Sequence, residues 1–226
     1  MLQKTNGVFL HQFKYSENSI IARVYTESSG LKSFIIKGAR SKKSTIKINV
    51  LQPLALINIV FFDNGKSSLL HLKELNLNNP GSSIPFNFYK SCIAIFICEV
   101  LLKSIKEEEA NPPVFNFIHQ TVELLDAKEE GIGLFPLLFL IKLSQYLGFS
   151  IENSLQENDF LLNAGTASAE VILFLQQLKS ISEEGDQPKL SKNGKRELLS
   201  FLIKHYELNL IKFGDIKSHK ILEAIM

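Results

Sequence analysis

The chain has 226 residues, enough for one large domain or two small ones. Hydrophobic residues make up 45% of it and charged residues 21%, a balance that excludes disordered and low-complexity classes. Two cysteines cannot build a disulfide framework, no apolar run reaches the length of a membrane span, and the first residues do not form a signal peptide, so we expect a soluble, cytoplasmic protein.

The first 76 residues have the pattern of short β-strands. Residues 19–26 follow the period of two of a strand, with Ile20, Ala22 and Val24 on one face. Ile21, Arg23 and Tyr25 fall on the other face. Residues 28–30 and 63–66 contain turn signals, the second built on an Asn-Gly pair. Five short strands, with a longer link between the third and the fourth, predict a five-stranded OB-fold (oligonucleotide-binding) barrel over residues 1–79.

The hydrophobic period changes after residue 80. Apolar residues recur at helical spacing from residue 86 to about 109, and prolines at 112, 113 and 136 fit the first turns of two further helices. Two more helices are predicted at 167–181 and 195–213. We therefore predict an all-helical domain over residues 80–226 and an α+β, two-domain fold for the chain.

Charge is unevenly distributed between these two parts. Residues 1–80 hold 11 Lys and Arg against four Asp and Glu, whereas residues 81–226 hold 14 against 19. No acidic residue occurs between Glu27 and Asp63. This asymmetry favours a polyanion as the partner of the first part. A solvated surface on which the acidic residues happen to lie elsewhere is an equally compatible interpretation.

Motifs of catalysis are missing from the sequence. The Gly65-Lys66-Ser67 segment has Val60 where a phosphate-binding loop needs a glycine. The five histidines lie far apart in the sequence. Cys92 and Cys98 point in different directions on a predicted helix, so they cannot form a metal-binding or redox pair, and we expect buried structural cysteines. We therefore expect no catalytic residue, no cofactor, no metal ion and no small-molecule substrate.

The basic segment after the third predicted strand, residues 37–44, is the most informative part of the chain. Flexible Lys and Arg side chains on a loop beside a barrel can follow a phosphate backbone without reading its sequence. Tyr25 could stack on a base, with Arg23 on the same face, although an aromatic ring on a strand is more often part of a core. The predicted nucleic-acid-binding residues are Arg23, Tyr25, Lys37, Arg40, Lys42, Lys43 and Lys47.

The order of several short motifs resembles the RecO family of bacterial recombination mediators and DNA repair proteins. Each motif alone is weakly specific, and the ordered set is much more so. The motifs are Thr5-Asn6-Gly7-Val8, Tyr15-Ser16-Glu17-Asn18-Ser19, Val24-Tyr25-Thr26-Glu27, Lys37-Gly38-Ala39-Arg40, Leu51-Gln52-Pro53-Leu54 and a closing Ile216-Lys217-Ser218.

The resemblance implies an OB-fold barrel followed by a helical domain. It also implies binding to single- and double-stranded DNA, annealing of complementary strands, and cooperation with RecR and with the acidic tail of single-stranded DNA-binding protein, so that RecA loads. The family's DNA-contacting cations would fall on Lys37, Arg40, Lys42 and Lys43. Many members carry a four-cysteine zinc module, but residues 149–167 contain no cysteine, so we expect no zinc module here.

Two other functions compete with this interpretation. The barrel could be a protein–protein adaptor that binds a peptide or a partner protein instead of DNA. A nuclease would need clustered carboxylates near the basic surface, and the first 80 residues have only four, scattered along the sequence. The second alternative is therefore the weaker one.

Overall fold

The structure, a computed structural model, describes residues 1–41, 44, 46–63, 65, 67–106, 108–151, 168–180 and 188–225. In these residues five strands precede six α-helices. The order of strands followed by helices is as predicted, and the last short helix, His219–Ile225, is additional to the five helices that the periodicity predicts. The strands are β1 (Leu2–Lys14), β2 (Ile20–Thr26), β3 (Gly30–Ile36), β4 (Leu56–Phe62) and β5 (Leu69–Leu77).

The five strands close into a barrel in the order β1-β2-β3-β5-β4, which confirms the predicted OB-fold architecture. The long strand β1 closes it, because its first half pairs with β4 and its second half with β2. Gly7 lies where the two pairings overlap, and a Cβ atom there would lie 2.6 Å from the Cγ1 of Val24. Only glycine fits this crossing without displacing a core side chain.

Apolar side chains from all five strands fill the barrel. The core is formed by alternate strand residues, as a half-buried pleated sheet requires, together with three residues of the link between β3 and β4. The link contributes Ala39, Ile46 and Leu51 to this core, so it is held to the barrel at three places along its length.

Six helices follow the barrel. Asn87 accepts a hydrogen bond from the N–H of Lys90 at the start of the first helix, and Asn111 caps the second in the same way, just before two prolines. The helices are α1 (Phe88–Ser104), α2 (Pro112–Ala127), α3 (Phe135–Tyr146), α4 (Ala169–Ser180), α5 (Lys192–Asn209) and α6 (His219–Ile225). None of the helices in the described part of the chain is long and apolar enough to cross a membrane.

The chain forms two compact units, Met1–Glu129 and Glu130–Met226. Secondary structure changes from strands to helices after Leu77, close to the boundary predicted between residues 79 and 80, but α1 and α2 belong to the same compact unit as the barrel. In the second unit Tyr206 is fully buried, its hydroxyl donates to the carbonyl of Leu140 at 2.7 Å, and its ring contacts Phe149 and Phe213.

Candidate nucleic-acid interface

The basic loop after β3 is folded into consecutive turns between two buried anchors. Gly38 has a φ of +64°, which favours glycine, and its carbonyl accepts a hydrogen bond from the N–H of Ser41 at 2.9 Å. The next turn joins the N–H of Ser44 to the carbonyl of Ser41. Because Ala39 and Ile46 are buried in the barrel core, the chain between them is held at both ends.

Three exposed cations lie on chain segments that adjoin each other at the end of the barrel beside this loop. Lys37 follows β3 directly, and the N–H of Arg40 donates to the carbonyl of Asn18 in the turn between β1 and β2. Lys14 ends β1 opposite Ile20, which in turn pairs with Ile36. We call Lys14, Lys37 and Arg40 the cationic end; all three side chains are exposed. Lys42 and Lys43 lie outside the described residues.

Arg23 lies on β2, the strand that pairs with β1, and belongs to the outer face of the barrel. Its Nη1 donates to the hydroxyl of Ser33 at 2.8 Å, and its strand partner on the other side is the exposed His11. The hydrogen bond orients the guanidinium across the outer face and leaves it half exposed. Arg23 can therefore contact a phosphate or a base edge.

Tyr25 shares that outer face, as its period-two spacing from Arg23 predicts, but it is 0% exposed. Its ring is stacked on Phe115 of α2, with 6.3 Å between the ring centroids. A base cannot reach a ring that a helix covers, so this burial argues against the stacking role expected for Tyr25. Phe13 and Tyr15, 46% and 57% exposed, lie beside Lys14 instead.

Lys32 and Lys47, the other cations of the acid-free stretch that the structure describes, lie apart from the cationic end. Lys47 is exposed between the buried Ile46 and the short 3-10 turn Ile48–Val50, and no strand pairing brings it to the cationic end. Lys32 forms an ion pair with Glu108 at 3.5 Å, so its charge is paired within the first unit. The sequence-based set is thus only partly brought together, and it omitted Lys14, whose position follows from strand register.

A buried polar network lies at the junction between the barrel and its helices. The ammonium of Lys90, which is 5% exposed, donates to the hydroxyl of Ser83 at 2.8 Å and to the carbonyl of Asp126 at 2.5 Å. Burial alone would raise the pKa of Asp126, but hydrogen bonds from Ser83 and the charge of Lys90 outweigh it and lower that pKa. The ammonium of Lys90 is therefore bound within the first unit and is not available to contact DNA.

The described part of the chain offers no site for a zinc ion. Within the described ranges no three His, Cys, Asp or Glu side chains form a group that could hold a metal ion. Both cysteines are buried in α1, and burial raises the pKa of Cys98 to about 12, which keeps the thiol protonated. Most of the segment 149–167, where the module would lie, falls outside the described residues.

Comparison with protein families matches the two parts of the chain separately. A model described as recombination protein O N terminal matches residues 1–80, which include the whole barrel. A second, described as recombination protein O C terminal, matches residues 85–154. Together the two matches cover more than half of the chain.

Curated relatives match over nearly the whole length. A protein named DNA repair protein RecO from Bacteroides fragilis is 33% identical over 240 aligned residues, which cover 100% of this chain and 99% of the relative. Another protein of that name, from Flavobacterium psychrophilum, is 32% identical with 98% of both chains covered. The relative from Haemophilus influenzae is 32% identical over 86% of this chain. The chain belongs to the RecO family.

Proposed function

We propose that the protein is a DNA repair and recombination mediator that binds single- and double-stranded DNA without reading sequence. The observation that supports this proposal is the cationic end: the exposed Lys14, Lys37 and Arg40 lie on adjoining segments at one end of an OB-fold barrel. Membership of the RecO family supports the same role. The proposed place of action is the bacterial cytoplasm, where the chromosome lies.

The proposed mechanism is electrostatic. Two complementary strands repel each other through their phosphates, and a protein surface that binds both lowers this repulsion while leaving the base edges free to pair. Annealing then needs no covalent step, so no residue has a catalytic role. A neutralisation of about four to six phosphates gives a log–log salt slope of roughly −3 to −4 on single strands.

The proposal includes two protein partners, RecR and the acidic tail of single-stranded DNA-binding protein, with which the protein would help RecA to load. An acidic, apolar-ended tail needs an apolar groove with a cation at its rim. Among the lysines on predicted helices, Lys90 is buried and Lys103 lies 3.9 Å from Glu99, whereas Lys142 on α3 is exposed. Lys142 is therefore the best placed of the three.

The DNA-binding proposal is tested by replacing Lys37 and Arg40 together with alanine. We expect weaker binding to every DNA sequence and a single-strand salt slope that is flatter by about 1.4, since each lost phosphate contact contributes about 0.7. The matched control is Lys142→Ala with Lys192→Ala, which removes two exposed lysines from helices of the second unit. An unchanged slope in the Lys37/Arg40 variant would reject the cationic end as the contact site.

A protein–protein adaptor is the second candidate function, and one observation favours it. A recess of about 450 Å³ in the first unit is lined by apolar residues such as Pro53 and Leu54, by several polar residues, and by the acidic residues Glu123 and Asp126. Such a recess suits an apolar peptide segment that carries a Lys or Arg, and it disfavours an acidic tail. If the protein retained a purified partner but no DNA at about 0.1 M salt, the adaptor role would be preferred.

A further inference from the structure

A second group of exposed side chains lies where β4 ends. Phe62, the last residue of β4, is 54% exposed, and its strand partners are Leu2 on β1 and His71 on β5. Leu2 is 52% exposed and His71 is exposed as well. The neighbouring Phe61 points into the barrel core, so strand alternation places Phe62 on the outer face.

A β-bulge brings a cation to this ring. Between Val60 and Phe61 the partner on β5 changes from Glu74 to Leu72, so Lys73 is the extra residue of the bulge. Bulges redirect a side chain and are frequent beside functional sites. Here the Nζ of Lys73 lies 5.9 Å from the centroid of the Phe62 ring, within the range of a cation–π contact.

A recess adjoins the ring. It has a volume of about 240 Å³, and its lining includes Phe62, Asp63, Leu69 and His71. Asp63 contributes to this lining, but its carboxylate accepts a hydrogen bond from the N–H of Gly65 at 2.7 Å. The site therefore combines an exposed ring, an open recess beside it and an ammonium group over it.

We propose that Phe62, Lys73 and His71 form a contact site for an unpaired nucleobase and its phosphate, an inference that rests on the DNA-binding function proposed above. A base of a single strand can stack on the Phe62 ring, while Lys73 neutralises the adjoining phosphate. Bases inside a duplex are stacked on each other and cannot reach the ring. Phe62 thereby favours single strands, whereas the cationic end binds both forms.

The absence of tryptophan from the sequence provides a direct probe. In a Phe62→Trp variant of the full chain the new indole is the only one, and we expect a dT oligonucleotide to quench its fluorescence. The matched control is Phe86→Trp, because Phe86 is 88% exposed in the turn before α1. Quenching in the control but not at position 62 would overturn the proposal.

Affinity measurements separate stacking from charge. We expect Phe62→Ala to lower single-strand affinity about fivefold or more, to change duplex affinity less than about twofold, and to leave the salt slope unchanged. Phe62→Leu keeps an apolar side chain without a ring and should lose single-strand affinity to the same extent. Thermal melting of each variant checks that the fold is retained.

The outcomes distinguish this inference from the proposed function. If the wild-type chain binds neither form of DNA, the proposed function itself fails. If the wild type binds both forms and Phe62→Ala binds single strands equally well, or loses single and double strands equally, only the base-contact site is rejected. Wild-type affinity in Phe62→Leu would reject stacking in the same way.

Discussion

Lys90 shows how one buried charge can tie separate segments together. Its ammonium joins Ser83, in the connection between the barrel and α1, to Asp126 near the end of α2. Asp126 also accepts hydrogen bonds from the N–H and hydroxyl of Ser83, at 2.6 and 2.7 Å. A buried ion is tolerated only when such partners surround it, so the network fixes how the connection meets α2.

Removing the ammonium should therefore destabilise the first unit. We expect Lys90→Met to lower the free energy of unfolding by about 3 kcal/mol, because the backbone carbonyl of Asp126 and the hydroxyl of Ser83 would lose the charged donor that they share. Urea unfolding followed by circular dichroism measures the change. Lys128→Met, just after α2, is the matched control, and an equal loss in both variants would contradict a specific role for the network.

His205 predicts a pH dependence in the second unit. Burial lowers its pKa, and the hydrogen bond from its ring to the carbonyl of Phe149 offsets this effect only in part. The folded state therefore favours the neutral ring, and the stability from this group is complete above the unfolded pKa of about 6.5 and is lost as the pH falls below it.

The corresponding variant is His205→Gln, which keeps an amide donor near Phe149 and removes the titration. We expect the wild type to lose more stability than the variant between pH 7.5 and 5.5, measured by urea unfolding at each pH. His11→Gln, at an exposed position of β1, should behave like the wild type. Equal pH dependence in His205→Gln and the wild type would show that another group titrates.

Only part of the interface could be predicted residue by residue. The acid-free stretch pointed to Lys37 and Arg40, and period-two alternation placed Arg23 and Tyr25 correctly on one face. The burial of Tyr25 depends on Phe115, which is 90 residues away in sequence, and no local pattern reveals such a contact. Lys14 was missed because strand register, not sequence proximity, brings it to the basic loop.

The helices α4 and α5 begin with reciprocal caps. The carboxylate of Glu170 on α4 accepts hydrogen bonds from the N–H and hydroxyl of Ser191, at 2.7 and 2.8 Å, and Ser191 caps α5 through the N–H of Gly194. In return Glu197 on α5 accepts from the N–H of Ser168, just before α4. Each helix thus supplies an acceptor to the other's first turn, where unpaired N–H groups and the helix dipole favour a negative charge.

Ser191→Ala should weaken this arrangement. The loss of the capping hydroxyl leaves the N–H of Gly194 without its acceptor, and we expect a cost of about 1 kcal/mol in the stability of the second unit. Hydrogen exchange of the first-turn amides of α5 measures the local effect. The control is Ser200→Ala, at an exposed position in the middle of α5. If the first-turn amides exchanged faster in Ser200→Ala but not in Ser191→Ala, the capping role would be contradicted.

Strands and helices were predicted well where their signals are local. Turn residues separate all five strands, asparagine caps mark the starts of α1 and α2, and prolines mark the starts of α2 and α3, so the order of elements follows from the sequence. Several boundaries did not follow. The helix predicted at 195–213 spans Lys192–Asn209 instead. β1 begins at Leu2 although the apolar run that predicts it covers residues 8–13, and β4 begins at Leu56 although its apolar run starts at residue 52. The turn at Leu54, with a φ of +63° and a hydrogen bond to Phe9, interrupts that run through a tertiary contact.

The whole molecule divides its charge as well as its fold. The excess of cations is confined to residues 1–80, while the remaining residues have an excess of anions. The sequence predicts a domain boundary where the strands give way to the helices. In the structure, α1 and α2 form one compact unit with the barrel. Packing of this kind joins residues that are distant in the sequence, so no local pattern predicts it. The basic surface therefore belongs to a unit larger than the barrel alone.

Strand annealing by the full chain should follow this charge distribution. With a single-strand slope of roughly −3 to −4, a sixfold rise in salt lowers affinity by about two hundredfold to a thousandfold. We expect acceleration of annealing between two complementary oligonucleotides at about 50 mM salt and none at about 300 mM. Acceleration that persists at the higher concentration would contradict a mechanism based on charge.

The double pairing of β1 has a consequence for how the molecule forms. Residues 2–8 close the barrel against residues 56–62, so the closing contacts have a high contact order and come late in folding. A nascent chain can make the meander of β1, β2 and β3 early, but its open edges stay exposed until β4 and β5 have been synthesised. During that interval these edges are the part of the protein most prone to aggregate.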